Sequence, residues 1–351
     1  MSPTERALHI AVFLTGFLLV AGTLVSAIAT FVLPRSDRSF LTRLVFRNVR
    51  HLFDFFLRFS TTYERSDRIM AYYAPLGLMV LLPTWYVLIV LGYTGMYWAL
   101  GTGNLLEAFQ LSGSSLFTLG FEAPKGLWPS ALAFSEGMLG LIMVALLISY
   151  LPAMYSAFSR REHAVNMLEV RAGVPPSAVE MLLRFNRIHG LDKLGDYWRS
   201  WENWFAEVEE SHTTLATLVF FRSPQPEMSW ITASGAVLDA AALTLSAVDL
   251  PHDSTADLCI RAGYLALRRI ANHFNRPNPQ DPHYPKDPIS IHRSEFDAVL
   301  AQLEEGGLPL KPDREKAWKD FAGWRVNYDR SLIEICHLVM APFAVWSSDR
   351  G

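Results

Sequence analysis

The chain has 351 residues, of which 51% are hydrophobic and 19% charged, below the roughly 25% charged residues of typical soluble domains. Its formal net charge of −3 gives no support to nucleic-acid binding as a main function. The charges are unevenly distributed: residues 1–159 hold ten Lys or Arg and eight Asp or Glu, and residues 160–351 hold twenty-one and twenty-six. We therefore expect an apolar membrane part followed by a mildly acidic soluble part.

Three stretches are long and apolar enough to cross a bilayer as helices, which takes about 20 residues. Residues 10–33 and 70–104 carry no charge, and residues 130–158 carry only Glu136. An Ala27-x-Ala29 pattern leaves a cleaved signal peptide as the alternative for the first stretch, although its apolar run is long for that purpose. The stretches predict an all-α membrane protein with three transmembrane helices.

The positive charges predict an orientation. Residues 35–68 hold eight Arg and four acidic residues, whereas residues 101–129 hold one Lys and two Glu. By the positive-inside rule, residues 35–69 and everything from residue 160 lie in the cytoplasm, and the N-terminus lies outside. We expect a multi-pass protein of the inner or plasma membrane.

The Arg-rich stretch has the pattern of an amphipathic helix in the membrane interface. Its basic face points to anionic lipid headgroups as partners and consists of Arg43, Arg47, Arg50 and Arg58. The other side is apolar, with Leu41, Leu44, Val45, Leu52, Phe55, Phe56 and Phe59. A voltage-sensing helix is the alternative, but the run is dense in charge and has no companion sensor helices.

The sequence "SGSSLFTLGFEAP" separates the second and third apolar stretches. Residues 104–117 predict a short helix with Asn104 as its N-cap, too short to cross a bilayer. If it enters the membrane it must return, and such re-entrant backbone is tolerated only when protein or a water-filled path surrounds it. Backbone carbonyls in the following segment can replace the hydration shell of a cation, and Gly120 permits the required backbone angles.

A span, a short helix, "TLGF" and a second span resemble the pore module of the tetrameric pore-loop potassium channels. The resemblance covers about residues 70–158, so this chain would carry an additional N-terminal span and an unfamiliar cytoplasmic domain. It implies a filter of backbone carbonyls from Thr118, Leu119, Gly120 and Phe121, with the Thr118 hydroxyl at the inner site. Glu122 replaces the second filter glycine of that family, which bears on selectivity for K⁺.

Further residues follow from the same resemblance. Support of the filter or a place at the pore mouth is expected for Glu107, Ser114, Ser115, Glu122 and Glu136. A hinge or gate on the inner helix is expected at Gly137, Gly140 and Pro152, where Pro152 would interrupt the helix. Gly and Pro are also common in spanning helices, so the alternative that they have no role in a gate stays open. An acidic residue at the end of a span can also stay hydrated at the interface, which is the alternative for Glu136.

The back half is expected to be helical throughout. Ser177 opens one helix, a tryptophan stripe marks another, and a long final helix is expected over residues 313–340. Cys259 and Cys336 lack metal-site spacing and are expected to be buried free thiols. Loosely spaced histidines in a loop favour solvated residues over a metal site, and no nucleophile–base set, acid pair or nucleotide-binding loop is present, so we expect no enzyme and no cofactor.

Together these observations predict four segments: a spanning helix over residues 1–34, the interfacial helix over 35–69, a pore module over 70–159 and a helical cytoplasmic domain over 160–351. The expected function is passive cation transport, favouring K⁺, through a homotetramer whose only ligands are the permeating ions. The alternative is a non-conducting membrane sensor or scaffold in which the helical domain is the working part, with an unknown regulator of that domain.

Overall fold

A computed structural model describes residues 2–31, 40–60 and 62–350. These residues form helices and no β-strand, apart from an isolated bridge between Val248 and Leu310, so the all-α prediction is confirmed. Two predicted features fall outside the described residues: the end of the first span at residues 32–33 and the start of the Arg-rich stretch at residues 35–39.

Thirteen α-helices occur in the described ranges. The front half holds α1 (Pro3–Phe31), α2 (Phe40–Leu57), α3 (Tyr63–Met70), α4 (Tyr73–Ala99), α5 (Leu105–Leu116) and α6 (Leu127–Ala172). The back half holds α7 (Ala178–Arg187), α8 (Leu194–Thr214), α9 (Trp230–Ala247), α10 (Ser254–His273), α11 (Arg293–Glu305), α12 (Arg314–Arg325) and α13 (Asp329–Val339). The single helix expected over residues 313–340 is therefore two helices, and the break lies after Arg325.

The chain divides into two compact units. The first unit comprises Met1–Ser60 and Ile69–Tyr155, and the second comprises Thr61–Arg68 and Ser156–Gly351. The predicted interfacial segment at residues 35–69 is thus shared: α2 belongs to the first unit, and most of α3 belongs to the second. Helix α6 contributes residues to both units.

In the part of the chain that the structure describes, four helical stretches are long and apolar enough to cross a membrane, one more than the sequence predicted. Three of them cover most of the predicted spans, and the fourth is α9. Nearly every residue of α9 is buried inside the second unit, whereas most residues of the three other stretches are not buried. Its apolar composition is therefore accounted for by packing in a protein core, which composition alone does not distinguish from a lipid environment.

Close backbone contact holds α1 against α4 in the first unit. A Cβ added at Gly16 would lie 2.4 Å from the carbonyl oxygen of Gly92, and one added at Gly92 would lie 2.8 Å from the carbonyl oxygen of Gly16. Small residues at such a crossing let two apolar helices approach closely where no hydrophobic effect drives them together. The N-terminal helix is thereby packed directly on the outer helix of the predicted pore module.

A buried ionic cluster connects helices around α9 in the second unit. The fully buried Arg325 guanidinium donates to both carboxylate oxygens of Asp239 on α9 at 2.6 and 2.8 Å, and to Asp329 on α13 at 2.7 Å. It also donates to the carbonyl oxygen of Trp346 near the C-terminus at 2.5 Å. Although burial opposes the charged form, Asp239 and Asp329 raise the pKa of Arg325 above its usual value, so the guanidinium stays charged.

Candidate functional site

Helix α5 begins with a complete capping box, which confirms Asn104 as its N-cap. The Asn104 side-chain oxygen accepts from the backbone N–H groups of Leu106 and Glu107 at 2.9 and 3.0 Å, and the Glu107 carboxylate accepts from the Asn104 N–H at 3.1 Å. These bonds satisfy N–H groups that a helix start leaves without partners. Glu107, expected at the pore mouth, thus has its carboxylate engaged in starting the helix.

The backbone of the predicted filter folds back on the C-terminal end of α5. The N–H groups of Leu119 and Gly120 point to the Ser114 carbonyl oxygen at 2.9 and 3.5 Å, and the N–H of Thr118 donates to the Ser115 carbonyl oxygen at 3.1 Å. Ser114 also holds the far end of the loop, because its hydroxyl accepts from the Glu122 N–H at 3.1 Å. The loop thereby donates hydrogen bonds to carbonyl oxygens that the C-terminal end of α5 would otherwise leave without partners.

The same loop leaves its own carbonyl oxygens without protein donors. Within the described residues, no hydrogen bond reaches the carbonyl oxygens of Thr118, Leu119, Gly120 or Phe121, and all four residues are exposed. Thr118 and Gly120 have positive φ values of 54° and 72°, whereas Leu119 and Phe121 do not. Most N–H groups of this loop donate hydrogen bonds to the end of α5, and its carbonyl oxygens accept none from the described residues. Such an arrangement can coordinate a cation and has few donors for an anion.

Glu136 lies behind α5, fully buried among three helices. Its two carboxylate oxygens accept from the Ser112 hydroxyl of α5 at 2.5 Å and from the Tyr97 hydroxyl of α4 at 2.9 Å. Buried polar groups need hydrogen-bond partners, and each oxygen of this carboxyl group has one. The arrangement favours bracing of α5 over the alternative of a hydrated residue at the membrane interface.

Three tyrosines of α4 bond to α6, and we call them the tyrosine ladder: Tyr86, Tyr93 and Tyr97. Tyr86 donates to the carbonyl oxygen of Gly140 at 3.0 Å, and the Tyr93 hydroxyl lies 2.9 Å from that of Ser135. The positions are seven and four residues apart, a spacing that places them on one side of a helix. This spacing was the available signal for the tyrosine ladder in the sequence.

The glycines of α6 lie against the end of α5. A Cβ added at Gly140 would be 2.2 Å from the Leu116 carbonyl oxygen, and one at Gly137 would be 3.3 Å from the Ser115 carbonyl oxygen. Both positions therefore permit close approach of the two helices. Pro152 lies inside α6, which continues from Leu127 to Ala172, so the expected interruption of the helix at Pro152 is wrong. Its role in a gate stays a prediction.

The predicted basic face on α2 is exposed, with Arg43 and Arg47 on the helix and Arg58 just beyond its end. Arg50 pairs with Asp54 at 2.9 Å. The apolar side divides in two, a difference that its sequence pattern did not reveal. Its buried part includes Val45 and packs within the first unit, and its exposed part consists of Leu44, Leu52, Phe55, Phe56 and Phe59.

The second unit holds α3 through an ion pair that sequence reasoning missed. Arg222 pairs with Asp67, and both side chains are about nine-tenths buried. The same guanidinium donates to the carbonyl oxygen of Val339 at 2.7 Å and to the Tyr63 hydroxyl at 3.3 Å. We call this contact the α3 clamp; an arginine and an aspartate 155 residues apart give no local signal.

A second buried arginine anchors the C-terminal part of α6. Arg161 donates to the carbonyl oxygens of Leu218 and Phe221 at 2.9 and 2.7 Å, and it pairs with Glu162 at 2.7 Å. It also lies 3.2 Å from a ring nitrogen of His212. Burial and the Arg161 charge lower the pKa of His212 well below its usual value, so this imidazole is neutral at pH 7.

The geometry thus brings together the filter residues, Ser114, Ser115 and the brace at Glu136 around one helix end. It does not bring the arginines of α2 into that group, and it adds Ser112 and Tyr97. Comparison with known proteins provides no further assignment of these residues. No protein-family model, curated protein or solved structure matches the chain.

Proposed function

We propose that the chain is a subunit of a tetrameric cation channel that conducts K⁺ passively through backbone carbonyls of residues 118–121. The observation that carries this proposal is the polarity of the loop. Its N–H groups are mostly directed to the end of α5, and its carbonyl oxygens have no protein donor in the described residues. Dehydrated cations require such oxygens, and passive conduction requires neither a cofactor nor a catalytic residue.

Four copies are part of the proposal because one loop supplies oxygens from one side only. A symmetric ring of loops encloses an ion, and closed rotational symmetry is the usual arrangement of homo-oligomers. Apolar residues on α5 and its C-terminal end favour such packing, since Leu105, Leu106, Phe109 and Phe117 are exposed in the single chain. Neighbouring subunits would cover them.

Gating by the second unit is the regulatory part of the proposal. The α3 clamp holds the segment that precedes α4, and Arg161 fixes the segment that continues from α6. Both flanking helices of the proposed pore are therefore connected to residues of the second unit. We place this unit in the cytoplasm and the N-terminus outside, in an inner or plasma membrane, on the charge distribution.

A non-conducting sensor or scaffold is the second candidate, and Glu122 is the observation that favours it. This residue stands where the resembling family has a glycine, and its N–H is bonded to Ser114 at 3.1 Å. The loop is therefore closed at a residue that introduces an exposed carboxyl group. In a scaffold, the same bonds would serve only to stabilise the turn.

Flux of K⁺ and Na⁺ from liposomes containing the purified full chain tests the proposal. The informative variant is Gly120→Ala, because Gly120 has a φ of 72° and an added Cβ meets no atom within 4 Å. Only the backbone angle then opposes the alanine, at about 1–2 kcal/mol. The matched control is Gly113→Ala in α5, where the Cβ also meets no atom but the backbone is helical.

We expect K⁺ flux to exceed Na⁺ flux, Gly120→Ala to reduce K⁺ flux at least tenfold, and Gly113→Ala to conduct as the parent protein does. Equal flux through both variants would contradict the filter assignment. A folded tetramer that passes neither ion at any tested voltage or pH would favour the scaffold. The more severe Gly120→Asp adds a charge at the same position and should abolish K⁺ flux.

A further inference from the structure

A groove of about 380 Å³ lies between α1 and α2 in the first unit. Its rim is formed by exposed apolar side chains, including those of Leu18, Val25 and Phe40. Cavities of this size are large enough for part of an organic ligand. Because α1 is apolar and long enough to span a membrane, hydrocarbon is the medium to consider on its side of the groove.

The floor of the groove carries two hydroxyl groups that are already bonded within the protein. The Thr23 hydroxyl donates to the Leu19 carbonyl oxygen at 2.8 Å, and the Ser26 hydroxyl accepts from the indole N–H of Trp85 at 3.2 Å. Both residues are almost fully buried. An occupant therefore contacts mainly carbon atoms, which suits an alkyl chain better than a polar molecule.

Positive charge lies next to the apolar rim. On α2, Arg43 and Arg47 follow Phe40 by three and seven residues, a spacing that places all three on the same side of the helix. Both arginines are exposed, and in the part of the chain that the structure describes neither pairs with an acidic side chain. The neighbouring Asp54 is paired with Arg50. A guanidinium forms strong bonds to phosphate oxygens.

We propose that the groove binds one acyl chain of an anionic glycerophospholipid whose phosphate is held by Arg43 and Arg47. The apolar groove matches the chain, and the adjacent cations match the headgroup. This combination specifies a membrane lipid and not a free phosphate, which has nothing to place in the groove. The site lies on α1 and α2, outside the proposed filter, so it does not depend on ion conduction.

Native mass spectrometry of the delipidated full chain tests this site by titration with phosphatidylglycerol and phosphatidylcholine that have identical acyl chains. Gly22 lines the groove, and a Cβ added there meets no atom within 4 Å, so the side chain of Gly22→Phe starts in open space and can occupy the groove. Leu14→Phe is the matched control, because Leu14 is an exposed residue of α1 that does not line the groove. The headgroup is tested by the double variant Arg43→Gln, Arg47→Gln.

The parent protein and Leu14→Phe should retain one phosphatidylglycerol per chain at least tenfold more tightly than phosphatidylcholine. Gly22→Phe should weaken retention of both lipids at least fivefold, and the double arginine variant should remove the preference between them. Unchanged retention by Gly22→Phe, or an unchanged preference in the arginine variant, would overturn the proposal. If Gly22→Phe does not fold, Val25→Trp fills the groove from its exposed rim and decides the same question.

Discussion

The contact between α5 and α6 predicts a graded effect of glycine-to-alanine substitutions. At Gly140 the new Cβ would stand 2.2 Å from the Leu116 carbonyl oxygen, although a Cβ essentially never comes within 3.0 Å of another atom. At Gly137 the corresponding distance, to the Ser115 carbonyl oxygen, is 3.3 Å. At Gly113 no atom lies within 4 Å. The same chemical change thus meets severe, slight and no steric resistance.

The expected magnitudes follow from two opposing terms. Alanine favours a helix over glycine by about 1 kcal/mol, which applies at all three positions. At Gly140 the helices must separate by about 0.8 Å, and over-packing of a close contact costs about 1–3 kcal/mol. We expect Gly113→Ala to stabilise the protein by up to about 1 kcal/mol, Gly137→Ala to be near neutral, and Gly140→Ala to destabilise it by up to about 2 kcal/mol.

Thermal unfolding of the full chain in one detergent, followed by tryptophan fluorescence, measures this series. The midpoint should be lowest for Gly140→Ala and highest for Gly113→Ala, with the parent protein and Gly137→Ala between them. Because the readout is stability, it does not depend on whether the protein conducts ions. A midpoint for Gly140→Ala equal to or above that of Gly113→Ala would refute the packing of α6 against the end of α5.

Three further predictions concern the second unit. Arg325→Met should lower the free energy of unfolding by about 3–5 kcal/mol in urea titrations, because Asp239 and Asp329 lose their buried partner; a loss below about 1 kcal/mol would contradict the buried cluster. His212 has its pKa well below 6.5 when folded, so acidification below pH 6.5 protonates the unfolded chain preferentially and reduces stability by up to about 1.4 kcal/mol per pH unit. His212→Gln should flatten that dependence, and an unchanged slope would assign it elsewhere. Burial raises the pKa of Cys336 to about 12, so a thiol reagent should modify it only as fast as the protein unfolds, whereas rapid labelling of the folded chain would contradict its burial.

Local patterns were sufficient to predict many helices and two N-caps, Asn104 and Ser177. The uncharged stretches predicted the long apolar helices, and Asn104 followed by Glu107 predicted the start of α5, because these signals lie within a few residues of each other. Burial of Cys259 and Cys336 was likewise predicted from amphipathic patterns and is confirmed. The apolar stretch of α9 was not among the three predicted spans, and its burial in the second unit depends on the packing of neighbouring helices, which hydropathy does not reveal.

Contacts between residues far apart in the sequence could not be predicted from local patterns. Glu136 was predicted to support the filter or lie at the pore mouth, but its bonds to Ser112 and Tyr97 depend on how three helices cross. The pairing of Asp67 with Arg222 depends on the fold of the whole second unit. Pro152 was predicted to interrupt a helix because proline removes a backbone donor and crowds the preceding turn, yet α6 continues through it.

The α3 clamp makes the second unit discontinuous in sequence. A fragment that starts at Ser156 lacks Asp67 and Tyr63, so Arg222 would keep only its bond to the Val339 carbonyl and lose its buried counter-ion. A single cut before Ser156 would thus expose a partly apolar surface around an unpaired guanidinium. Residues 62–68, supplied in trans as a peptide, would restore that counter-ion. The segment between α2 and α4 is therefore both a linker and an integral part of the second unit.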